Sequence, residues 1–110
     1  MTKSGGGTVV LAGTNTYTGG TTNGAGILQV GTGGAAGSLG SGNVSNNGSL
    51  IFNRSDALTV LGVIGGAGTL SQNGAGTLTL TNTNTYTGAT TISAGTLSVG
   101  ADANLGNAMR

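Results

Sequence analysis

The sequence predicts an all-β solenoid, and three observations carry that reading. Short runs of β-branched and aliphatic residues alternate with a period of two, between corners of Gly, Asn and Ser. Glycine stands at 25 of 110 positions and opposes helix throughout, and no stretch shows helical periodicity. The chain also repeats itself. Gly7–Gly31 matches Gly76–Gly100 without a gap at 16 of 25 positions, in an alignment that carries Tyr17 onto Tyr86. Self-similarity at a fixed period is the mark of stacked repeats.

Taken in order, the inward-facing pairs are Val9 with Leu11, Leu28 with Val30, Leu50 with Phe52, Leu58 with Val60, Leu78 with Leu80, and Leu97 with Val99. Leu70 and Ile92 each give one inward side chain to a shorter strand. A smaller unit, Ala-Gly-Thr-Leu, stands at 67–70, 75–78 and 94–97, with Ala-Gly-Ile-Leu at 25–28, and places one apolar residue just after each bend. Strands of three to five residues are short for a sandwich but suit a coil of about 20–25 residues. At that pitch the shift from Tyr17 to Tyr86 is about three coils, which puts the two tyrosines on the same side of the solenoid. Gly31–Gly42 has the composition of a linker, but Leu39 interrupts it, and it reads as a loop between coils.

Composition removes several function classes. Leu, Ile, Val and Phe make up about a fifth of the chain, near the level at which disorder is suspected, yet the net charge is only +1. Order must therefore come from repetition, each coil hydrogen-bonding to the next. Lys3, Arg54 and Arg110 against Asp56 and Asp102 form no basic stripe for nucleic acid. The longest strongly apolar run, Val9–Ala12, is far too short to span a bilayer. With no His, Cys or Glu, the residues offer no transition-metal cluster and no nucleophile–His pair, so no catalytic residue, metal site or cofactor is assigned. Asp56 and Asp102 are the only carboxylate side chains, far apart in sequence, and read as turn or cap residues. The glycine run at Gly31–Gly34 fails the dinucleotide fingerprint, and no phosphate loop occurs.

Two surface features invite a binding role. Tyr17 and Tyr86, with Asn15 and Asn84 beside them, combine an aromatic face with amide hydrogen bonding, which suits carbohydrate. Thr77, Thr79, Thr81, Thr83, Thr85 and Thr87 alternate, as in flat Thr arrays that bind ice. Such arrays stack from coil to coil, whereas this alternation runs along the chain into an Asn-rich segment that reads as a turn, Asn82–Gly88. Both features read as structural.

Gly76-Thr77-Leu78-Thr79-Leu80-Thr81, Asn84-Thr85-Tyr86-Thr87-Gly88-Ala89-Thr90-Thr91-Ile92 and Ala94-Gly95-Thr96-Leu97-Ser98-Val99-Gly100 together resemble the autotransporter passenger-associated β-strand repeat. Gly7–Leu11, Asn15–Thr22 and Leu28–Gly31 resemble it too, departing at Asn23, where the second copy has Ile92 and an inward apolar side chain is therefore missing. The connecting Gly48–Leu58 and the C-terminal Ala101–Gly106 are also similar to what surrounds such repeats.

The resemblance implies a right-handed parallel β-helix of roughly four to five coils with uncapped ends. Residues 5–31 form the first repeat, 32–73 the connecting coils, 74–100 the second repeat, and 101–110 the start of a further coil. It implies a non-catalytic stalk segment of a secreted passenger at the cell surface of a Gram-negative bacterium. The expected partners are neighbouring coils, a C-terminal outer-membrane barrel in the parent protein, and further copies through open sheet edges. Met1-Thr2-Lys3-Ser4 leads straight into glycine with no signal-peptide core, so a fragment is expected. The alternatives are an adhesin-like glycan- or host-surface-binding module and a fragment of a β-helical polysaccharide-active enzyme.

Overall fold

The computed structural model describes residues 1–13, 15 and 18–100. Among these are twelve strands: β1 (Thr2–Lys3), β2 (Thr8–Leu11), β3 (Thr21–Asn23), β4 (Ile27–Val30), β5 (Val44–Asn46), β6 (Ser49–Phe52), β7 (Leu58–Val60), β8 (Ile64–Gly65), β9 (Thr69–Gln72), β10 (Thr77–Leu80), β11 (Thr90–Ile92) and β12 (Thr96–Val99). They assemble into three sheets in which every pairing is parallel. Face 1 has the order β1-β3-β5-β8, face 2 the order β2-β4-β6-β9-β11, and face 3 the order β7-β10-β12. The chain visits the faces in turn and forms a β-solenoid of about five turns.

Successive turns place like positions above one another. On face 2, Val9, Leu28, Leu50 and Leu70 form one inward column, and Leu11, Val30 and Phe52 a second that Gln72 continues. Face 3 contributes the columns Leu58–Leu78–Leu97 and Val60–Leu80–Val99. Face 1 contributes Val44 and Ile64. Apart from Val9 and Val99, which stand exposed on edge strands, the apolar side chains meet in one core, and Leu28, Leu50, Phe52, Ile64, Leu70, Leu78 and Leu80 are essentially inaccessible to solvent. Burial of each is worth roughly 1.5–3 kcal/mol.

The bend from face 1 to face 2 explains part of the glycine content. A Cβ on Gly26 would collide with the carbonyl oxygen of Gly7. One on Gly48 would strike that of Gly26, one on Gly68 that of Gly48, and one on Gly88 that of Gly68. One glycine per turn thus lets consecutive turns approach backbone to backbone.

Face 3 starts later than its neighbours. Residues 31–43 carry no strand, as the loop reading expected, and among the described residues face 3 begins at β7. This loop is pinned from both sides. Ser38 N–H donates to the Gly13 carbonyl (3.1 Å), while the Arg54 guanidinium donates to the carbonyls of Gly37 (2.7 Å) and Ala35 (3.1 Å).

One expectation is corrected by the register. On face 2 the pairings run Thr8 to Ile27, Ile27 to Ser49 and Ser49 to Thr69, so three turns carry Thr8 to Thr69. The counterpart of Thr8 in the second copy is Thr77, which lies one strand further on and on face 3. The repeat shift therefore exceeds three turns by about one face. The first copy's tract leads from β2 on face 2 to β3 on face 1, and the second copy's from β10 on face 3 to β11 on face 2. Tyr17 itself lies outside the described residues; the strands that flank it and those that flank Tyr86 occupy different faces. The physical reason is tight winding. Most turns sit at or below the short end of the expected length, and only the turn from Ile27 to Ser49, which holds the 31–43 loop, is distinctly longer.

Candidate functional site

The Thr-Asn tract after β10 is built against the solenoid and does not loop away from it. Thr85 N–H donates to the Ile64 carbonyl (2.9 Å) and Thr87 N–H to that of Gly66 (3.0 Å), so the segment runs alongside β8 on face 1. Its side chains alternate. Thr81, Thr83, Thr85 and Thr87 face solvent, while Asn84 and Tyr86 point inward and are buried. The turn expected at Asn82–Gly88 is thus a strand-like extension of face 1. Its alternation has the same cause as that of any strand, a pleat with one face on the core.

Burial changes the meaning of the predicted contact residues. The Tyr86 ring is fully inaccessible, and its hydroxyl lies 2.7 Å from Thr90 Oγ1. Asn84 Oδ1 accepts a hydrogen bond from Ile64 N–H (2.8 Å), tying one turn to the next. In these positions neither Tyr86 nor Asn84 offers a face to a sugar. Asn15 is half-buried and serves a similar purpose: its N–H donates to Ser38 Oγ (2.9 Å) and its Nδ2 to the Ser38 carbonyl (2.6 Å). Asn82 adds a bond from Nδ2 to the Leu61 carbonyl (2.7 Å).

The threonines of face 3 do stack from turn to turn, contrary to the expectation of alternation along the chain alone. Thr77 is paired with Thr96, and Thr79 lies between Thr59 and Ser98. The outward column on face 1 is Thr2, Thr22, Ser45 and Gly65. The stacking is a consequence of register, and among the described residues the array on face 3 covers three strands.

Of the two carboxylates, Asp56 is exposed and held bidentately by Arg54, with Nε to Oδ1 at 2.9 Å and Nη2 to Oδ2 at 3.0 Å. Asp102 lies outside the described residues. An apolar cavity of about 220 Å³ opens between the 31–43 loop and β7, with Leu39, Val44, Phe52, Leu58 and Val60 in its lining. No group of three or more potential metal-ligating side chains occurs among the described residues.

Sequence reasoning overlooked the buried polar side chains. Lys3, Asn23 and Asn46 lie in one inward column on face 1. Asn23 Nδ2 donates to Asn46 Oδ1 (3.0 Å), and Asn46 Nδ2 donates to the Thr69 carbonyl (2.9 Å). The departure at Asn23 is therefore an inward position filled by an amide that pairs with the amide one turn on, and β3 remains a regular strand. Its Oδ1 is buried without a partner among the described residues. The Lys3 ammonium is enclosed by the carbonyls of Ala25 (2.7 Å) and Gly5 (3.0 Å). The signal available in the sequence was spacing, since Lys3, Asn23 and Asn46 recur at the length of one turn.

The passenger-associated-transport-repeat model matches this chain at residues 1–30 and 70–99. The chain is also similar to a protein named Adhesin BmaC autotransporter from Brucella suis biovar 1 (strain 1330), at 54% identity over 68 residues. That alignment covers 62% of this chain and 2% of the relative, so the chain spans a small part of that protein's length. No solved structure matches.

Proposed function

The chain belongs to the passenger-associated-transport-repeat family, and from that premise we propose that it is a structural, non-catalytic segment of a secreted autotransporter passenger. In this reading it forms part of a β-helical stalk that supports folding during export and carries other segments at the cell surface. Its partners are the coils before and after it and the outer-membrane barrel of the parent protein. The observation that supports this most is the inward placement of the second copy's tract. Asn84 and Tyr86, its most distinctive residues, bond to their own solenoid. Residues kept for stacking serve assembly.

The test is display. A passenger carrying Gly68→Val in this segment should reach the outer surface in reduced amount, whereas Gly34→Val, where a Cβ meets nothing within 4 Å, should not change it. Unchanged display with Gly68→Val would sink the role in export. Open edges carry a second expectation. Val9, Val10, Ile92 and Val99 are exposed on β2, β11 and β12, so the isolated chain should self-associate as its concentration rises in sedimentation velocity.

The name of the relative favours one further reading, an adhesin-like surface. Contacts would then come from outward positions such as Thr59, Thr79 and Ser98, with Tyr86 serving only the fold. A glycan array probed with the isolated chain separates the two: reproducible binding abolished by Thr59→Ala with Thr79→Ala supports the adhesin, and a blank array supports the stalk.

A further inference from the structure

The two family matches have the same local structure on different faces. Within residues 1–30, β1 pairs with β3, setting Thr2 beside Thr22 and Lys3 beside Asn23, and β2 pairs with β4, setting Thr8 beside Ile27. Within residues 70–99, β9 pairs with β11 and β10 with β12. Each partnership maps onto its counterpart at the repeat shift: Lys3 with Asn23 becomes Gln72 with Ile92, and Thr8 with Ile27 becomes Thr77 with Thr96. The turn that follows the first copy, from Thr22 to Ser45 on face 1 and from Ile27 to Ser49 on face 2, is longer than either.

The corner is alike in kind as well. Lys3 Nζ donates to the Gly5 carbonyl, and Gln72, its counterpart, donates from Nε2 to the carbonyl of Gly76 (3.0 Å), the equivalent of Gly7. Both are buried polar side chains closing a corner within their own copy. Gly26 and Gly95 both have positive φ, +72° and +66°. A Cβ on Gly26 would strike the carbonyls of Gly5 and Gly7, and one on Gly95 those of Gly74 and Gly76, the equivalent positions of the second copy. Yet the first copy's pairs lie on faces 1 and 2, and the second copy's on faces 2 and 3.

We infer that the family repeat is a self-closing coil module that takes whichever face the chain has reached. It contains both strands of two parallel pairs and the polar side chain and glycine of the corner between them. Nothing in it specifies an absolute direction around the solenoid. That direction is set by the length of chain between modules, so the spacing of repeats along a passenger fixes the side on which each successive segment is presented. The inference stands on strand register and not on the export role. Unchanged display of the Gly68→Val passenger would count against that role alone.

The chain has no cysteine, which makes the register testable by pairwise thiol bridging with dibromobimane. The parent background is Thr77→Cys with Thr96→Cys, outward register partners inside the second module. Deleting residues 55–62 removes β7 and draws Thr77 back to the place that Thr69 holds in the parent, three whole turns from Thr8 on face 2. Duplicating the same segment shifts the module one face the other way. The 77/96 bridge should form at parental yield in the deletion and in the duplication, and be absent in urea. In the deletion, Ser49→Cys with Thr77→Cys should gain a bridge that the parent lacks, because β10 then stacks on β6. Loss of the 77/96 bridge in both length variants overturns the inference, as does a 49/77 bridge in the parent.

Discussion

The two repeat copies share every strand register but have opposite burial. Val9 in the first copy is 38% exposed, while its counterpart Leu78 is 1% exposed. At the other end of the motif the order inverts: Val30 is fully buried and its counterpart Val99 is 36% exposed. Among the described residues the first copy's leading strand β2 is an edge of face 2. Among the same residues the second copy's trailing strand β12 is an edge of face 3. Register is thus a local property of the motif, and burial is conferred by whichever turn lies above or below. Two residues in equivalent places contribute unequally to stability for that reason alone.

The largest expected effect breaks what the copies have in common, the close approach of turns at the glycine corner. Gly68→Ala places a Cβ against the carbonyls of Gly48 and Asn46 and should cost about 3 kcal/mol or more in urea unfolding. Gly6→Ala, where a Cβ meets nothing within 4 Å, should stay within about 0.5 kcal/mol. Equal costs at the two sites would mean that the column is not what limits the spacing of turns.

The inverted burial comes next. Leu78→Ala should destabilise by about 2–5 kcal/mol, and Val9→Ala by about 1 kcal/mol or less, in the same unfolding measurement. The mirror pair should follow, with Leu28→Ala well above Leu97→Ala. A smaller effect is expected at the polar column. Asn46→Ala removes the acceptor for Asn23 Nδ2 and the donor to the Thr69 carbonyl, for about 1–3 kcal/mol. Tyr86→Phe deletes the hydroxyl with its contact to Thr90 and should cost about 1 kcal/mol by thermal melting. The smallest is Asp56→Asn. Its exposed pairing with Arg54 should be worth no more than about 1 kcal/mol and should fade with added salt.

Much of the architecture was legible because a solenoid writes its rules locally. Alternation in Thr77-Leu78-Thr79-Leu80 or Ser49-Leu50-Ile51-Phe52 identifies a strand and its inward face, and a nearby glycine identifies the corner. The candidate site was less legible. Tyr86 and Asn84 look like surface residues in a Thr-Asn tract, because polar composition suggests a turn. Only the partner strand β8 shows that the tract continues the pleat. Lys3, Asn23, Asn46 and Gln72 were missed for a related reason. A polar side chain reads as exposed until the carbonyl or amide that satisfies it is seen, for the two asparagines one turn away.

The sequence by itself determined the fold class, the inward columns and the existence of a repeated coil, since each depends on residues a few places apart. The tertiary structure decided the phase. Three turns carry Thr8 only to Thr69, short of its counterpart Thr77, because most turns wind tightly at their glycine corners. The turn that includes the 31–43 loop is longer, and its length leaves no periodic trace among small residues. Which face a motif occupies is a sum over every residue before it, and no local pattern records that sum.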